Sequence, residues 1–206
     1  EIPLRLVGSE MCIRDRIIIG IAIAVLILGG VTIFGVTQYQ KKKAAKEYAE
    51  SVKTYSDNLE LATVTVLKGA GDAEDCGNLI KNVWYNAIYK EKDDETDKYT
   101  RPDGYFVSDF NDALGNLFVD SSFSSKIDSI DKNQDTVNSL MKKLKNPPEE
   151  YKDAYDALSD FYDAYLALTG CATDPSGSLQ TYSSTFNDAD TDTLNAYKAM
   201  QQYLGD

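Results

Sequence analysis

The chain contains no histidine, and that absence excludes a wide band of chemistry. A Ser-His-Asp or Cys-His nucleophile system, a His-ligated zinc or haem site and a histidine-based pH switch are all ruled out within this chain. Cysteine is almost as scarce. There are three in 206 residues, with no CxxC spacing to hold zinc. Cys12 precedes a long apolar run, which leaves Cys76 and Cys171 together on the other side of it. A Cys76–Cys171 disulfide is one expectation, if that side is oxidising; two free, buried thiols are the other. No β-branched run alternates with polar residues, so no strand is expected. Glycine-rich phosphate loops are missing too, because GAGDAEDCG follows no strand and opens no GxGxxG pattern.

Positive charge is also in short supply. The chain carries 21 Lys and Arg against 33 Asp and Glu, a net charge of −12. Residues 41–206 hold 18 and 30 of these. Without Lys41, Lys42, Lys43 and Lys46 the balance is 14 against 30. Such a surface repels phosphate backbones, so no nucleic-acid partner is expected, and the acidity is read as serving solubility.

What the sequence does have is one long apolar run. Residues 17–36, IIIGIAIAVLILGGVTIFGV, carry no charge and a single polar side chain, Thr32. About 20 such residues match the roughly 30 Å of hydrocarbon that a transmembrane helix crosses. No small-residue cleavage site follows in TQYQKKKAAKEY, and no lipoprotein cysteine does, so the run is expected to stay in the lipid bilayer as a single-pass anchor. Residues 1–16 share no pattern with the rest. Their VGSEMCIRDR resembles a translated sequencing adapter, and they are set aside as a non-native leader. Residues 37–206 then form one acidic helical domain.

The spacing within that domain predicts helices. Tyr48, Val52, Tyr55, Leu59, Ala62 and Val66 recur every three or four residues, and the stripe resumes through Ala73, Cys76, Ile80, Val83 and Ala87. This is either one helix to about Lys90 or two helices broken at Gly69-Ala70-Gly71. Residues 91–105, charged and holding Pro102-Asp103-Gly104, are expected to be a solvated loop. Short helices follow around Phe106 to Phe118 and Ile127 to Leu144, the latter ended by Asn146-Pro147-Pro148. A clear helix from Tyr151 to Leu166 is expected to end at Gly170. A final one runs from Leu179 to Leu204, interrupted near Asn187 to Asp192. The fold class is all-α: one transmembrane helix followed by an antiparallel bundle of four or five helices.

Candidate chemistry is thin. The tyrosine stripes, with Trp84 and Tyr85 among them, read as core, with a ligand-stacking cleft as the lesser alternative. Asp131-Lys132-Asn133-Gln134-Asp135 has the ligand spacing of a calcium loop but Thr136 and Lys142 where glycine and glutamate belong. Asp188, Asp190 and Asp192 fail likewise at Thr193 and Ala199. No catalytic residue, cofactor site or metal site is expected, and an enzyme using carboxylates or tyrosines in a bundle cleft is the minor alternative.

Three stretches, NLIKNVWYNAIYK, LMKKLKNPPEEYKDAYDAL and DPSGSLQTYSSTFNDAD, resemble a group of uncharacterised single-span proteins of Gram-positive bacteria, and the resemblance extends over residues 17–206. It implies a membrane helix before a helical extracellular region. Some of those proteins have a zinc ribbon before the span, whose CxxC knuckles do not occur here. The expected function is a non-enzymatic interaction or sensing module at the bacterial cell surface, with an unknown protein partner. Lys41, Lys42, Lys43 and Lys46 argue for the opposite orientation, a cytoplasm-facing scaffold.

Overall fold

The computed structural model describes the backbone from Ile13 to Leu204 and side chains from Gln38 to Leu204. It is all-helical, with six α-helices and no strand among the described residues. These are α1 (Ile13–Tyr89), α2 (Asp97–Thr100), α3 (Phe110–Val119), α4 (Ser121–Leu144), α5 (Lys152–Thr173) and α6 (Leu179–Met200). No helix among the described residues is long and apolar enough to cross a membrane. The expected span, residues 17–36, and the leader, residues 1–16, lie outside the described side chains.

Contacts divide the chain into two units that meet at Ser51 and Val52. In the first, every described side chain from Gln38 to Ser51 is exposed, and Lys43–Glu47 and Lys46–Glu50 form one-turn ion pairs at 3.8 Å. Such exposed pairs each contribute a few tenths of a kcal/mol.

The second unit is a four-helix bundle of α1 from Val52 onward with α4, α5 and α6. Tyr55 donates to the Leu144 carbonyl at 3.0 Å and Asn133 to the Thr65 carbonyl at 3.0 Å, which sets α4 antiparallel to α1. Gln134 donates to Thr169 at 2.6 Å while Asn138, one turn further along α4, accepts from Tyr162, so α5 returns antiparallel to α4. The Phe161 and Tyr197 rings meet at 5.5 Å, while Tyr182 donates to the Cys171 carbonyl at 3.2 Å, which turns α6 back again. The result is up-down-up-down, with α2 and α3 carried in the connection from α1 to α4. Its core holds Phe123, Ile130, Leu158, Phe161, Tyr165 and Phe186, among others. Each such side chain contributes about 1.5–3 kcal/mol on burial.

Glycine explains why α1 does not break. A Cβ on Gly69 would lie 2.2 Å from Asn133 Oδ1 and 2.9 Å from Tyr165, and one on Gly77 would lie 2.1 Å from the Phe186 ring. These glycines let α4, α5 and α6 approach α1 closely, and packing outweighs their roughly 1 kcal/mol helix cost. Of the two alternatives for this segment, the single helix is the one observed, and it ends at Tyr89 with Lys90 at φ 58°.

Four other expectations are corrected. The charged segment 91–105 is not simply a solvated loop. It contains α2 and buries Thr96, Tyr99 and Thr100, because Asn86 on α1 donates to Thr96 at 2.9 Å and the Asp93 carboxylate accepts from the Glu95 and Thr96 amides. α4 starts earlier than Ile127, at Ser121, because Asp120 caps the Ser122 and Phe123 amides. α5 passes Gly170 and ends at Thr173. α6 is unbroken through Asn187 to Asp192, because Phe186, Ala189 and Thr193 are buried along one side of it.

Candidate functional site

Two surface grooves concentrate the side chains that packing leaves unused, and both follow from the helical period. On α1, Ile80, Val83, Trp84 and Ala87 point inward, so Lys81, Tyr85, Ile88 and Tyr89 fall on the opposite flank. They meet the start of α6, where Ser178 caps the Thr181 amide at 3.2 Å. The groove between them measures about 650 Å³. The Tyr85 and Tyr89 rings lie 4.5 Å apart and Tyr89 is 58% exposed. The lining holds Lys81 and no carboxylate, which is unusual in a domain this acidic. Lys81 sits over the Phe186 ring at 5.1 Å and hydrogen-bonds Asn187 at 3.4 Å.

The second groove, about 190 Å³, lies between the middle of α1 and the C-terminal half of α6. Leu67 and Gly71 form one wall, Leu194 and Tyr197 the other, with Phe161 and Leu168 of α5 beneath. Glu74 and Asp190 face each other at one end. Burial and then the nearby Asp190 and Asp75 charges push the Glu74 carboxyl above its ordinary range. Among the described residues, no lysine or arginine pairs with either Glu74 or Asp190.

Cys76 and Cys171 are free thiols in this structure, Cys76 buried on α1 and Cys171 half-buried on α5. The fold brings both near one tyrosine. The Tyr182 hydroxyl donates to the Cys171 carbonyl and lies 3.4 Å from that of Gly77. Burial pushes the Cys76 thiol up to about 11 and raises Cys171 and Tyr182 as well, so none is activated as a nucleophile at neutral pH.

The calcium-like spacings are absorbed by helices. Asp131, Asn133 and Asp135 lie within α4 and Asp188, Asp190 and Asp192 within α6, where residues two apart point about 200° from one another. Asn133 is committed to Thr65 and Tyr165. No group of three His, Cys, Asp or Glu side chains among the described residues could hold a metal ion. The tyrosine stripes divide, with Tyr55, Tyr165 and Tyr182 in the core and Tyr85 and Tyr89 outside it. The second groove was not anticipated from sequence, and the first takes Tyr85 from the stripes whose lesser reading was an aromatic cleft. The carboxylate-free flank from Lys81 to Tyr89 is the signal that would have marked the first. No protein-family model, no curated protein and no solved structure matches the chain.

Proposed function

We propose that this chain is a membrane-anchored, non-enzymatic helical module that binds a partner at the outer face of a bacterial plasma membrane. The observation that carries the binding role is the groove of Tyr85, Ile88 and Tyr89. These large side chains are left exposed together in one concavity, beside a core that has taken up Trp84, Phe161, Tyr182 and Phe186. Exposed aromatics lining a concavity are a common basis of recognition. The anchor is supported by the apolar run 17–36 and by the resemblance to single-span proteins.

Two measurements test this reading. The chain should stay with membranes through alkaline carbonate washing, and a version starting at Gln38 should be released. A photo-crosslinking amino acid at Tyr89 should capture a discrete partner in living cells, and one at exposed Tyr105 should not. Release of the longer chain sinks the anchor, and equal capture from both positions sinks the groove.

A cytoplasm-facing scaffold is the second reading, favoured by exposed Lys41, Lys42, Lys43 and Lys46 directly after the apolar run. A carboxylate-based enzyme is a minor third, favoured by the raised Glu74 beside Asp190. It requires that removing that pair abolish a measurable turnover.

A further inference from the structure

We propose that the α1–α6 groove docks a basic amphipathic helix from a partner protein. Along α1, Glu60, Val64, Leu67, Gly71 and Glu74 recur at steps of four and three, so they form one stripe. Its apolar centre is unpartnered, with Val64 56% and, across the groove, Leu194 51% exposed. From Glu60 to Glu74 the stripe runs about 20 Å at 1.5 Å per residue, the footprint of a helix of three to four turns. Helix-in-groove recognition uses apolar anchors at this spacing.

Gly71 supplies the opening. A Cβ there meets nothing within 4 Å, whereas those of Gly69 and Gly77 would strike neighbouring helices. Packing within the bundle therefore does not require glycine at 71, and its missing side chain leaves the wall of the groove low enough for a second helix to lie close.

Charge selects the occupant. Both ends of the stripe are glutamates, and Glu74, Asp75 and Asp190 crowd together with every neighbouring charge acting to disfavour ionisation of Glu74. Lys68 on α1 is already held by Asp72 at 2.5 Å. A second copy of this chain would bring the same acidic rim and be repelled, while lysines or arginines flanking an apolar stripe would relieve the crowding. This assignment rests on reading the domain as a binding module and is independent of the tyrosine groove.

The test uses the full chain in nanodiscs of zwitterionic lipid, with empty nanodiscs as the baseline. The probe is a fluorescent leucine/lysine amphipathic peptide of about 18 residues, long enough to hold a helix. Fluorescence anisotropy should show saturable binding, weakened at least about tenfold by Gly71→Trp, which fills the groove. Glu74→Gln with Asp190→Asn should weaken binding by a similar factor while raising the melting temperature, which separates lost recognition from lost folding. Three results overturn the proposal: no saturable binding, equal binding of a leucine/glutamate peptide, or self-association of the chain that Gly71→Trp abolishes. Any of them leaves membrane retention and crosslinking from Tyr89 as they were, so the broader reading is judged separately.

Discussion

Alanine at Gly71 and alanine at Gly77, two positions on one helix, should move stability in opposite directions. At Gly71 the new methyl meets nothing within 4 Å. The change removes the excess backbone freedom of glycine in the unfolded chain and should stabilise by about 1 kcal/mol. At Gly77 the same methyl would stand 2.1 Å from Phe186 Cε2, with Cδ2 at 2.6 Å and Cζ at 2.8 Å, where ordinary contact begins near 3.4 Å. The ring must move by more than 1 Å, and it has little room. Phe186 is 2% exposed, stacked on Tyr182 with centroids 6.2 Å apart and covered by Lys81. Overpacking of that kind costs about 1–3 kcal/mol, more than the propensity gain offsets. The propensity gain is common to both variants, so they should differ by the overpacking cost, about 1–3 kcal/mol. Urea unfolding of the full chain, followed by circular dichroism, reads the difference as a shift in midpoint at unchanged slope. If Gly77→Ala is as stable as Gly71→Ala, Phe186 has space around it and the close α1–α6 approach is wrong.

Three further outcomes follow from the same geometry. Asn133→Ala removes the bridge between the Thr65 carbonyl and the Tyr165 hydroxyl, and should cost about 2 kcal/mol in the same urea assay because both partners lie against the bundle interior. Ser178→Ala deletes the cap of α6 and should cost about 1 kcal/mol, with the amide of Thr181 exchanging faster by NMR. The Cys76 thiol rises from 9.0 to about 11 on folding, so the folded state binds the proton more tightly. Its contribution is fully present below about pH 9 and is lost as pH climbs through 11, so melting temperature should fall over that window and Cys76→Ala should flatten the fall.

The helices could be read from sequence because the apolar stripes are regular, and Val52, Leu59, Val66, Ala73 and Ile80 need only a period of 3.6 to be seen. Where the reading went astray, the deciding feature lay off the apolar stripe, in a distant helix or in a local cap. Gly69 reads locally as a breaker, and only Asn133 and Tyr165 show why it is needed. Gly170 reads as a stop, yet nothing opposes its remaining helical and α5 buries Ala172 beyond it. The run EKDDETDKY reads as solvent-facing until Asn86 and Asp93 organise its turn. The grooves were hidden for a related reason. A tyrosine at helical spacing looks the same in sequence whether it faces the core, as Tyr182 does, or solvent, as Tyr89 does, and the helix beside it decides which.

Orientation separates the surface module from the cytoplasmic scaffold, and one labelling experiment reads it. A cysteine at Tyr105, which is 84% exposed, is placed in a full chain whose own cysteines are changed to serine. Intact bacteria are then treated with a membrane-impermeant maleimide. Labelling of Tyr105→Cys in unbroken cells, at the level reached after lysis, is the expected result and places the bundle outside. Labelling that appears only after the membrane is breached contradicts the surface reading and leaves the cytoplasm-facing scaffold in its place.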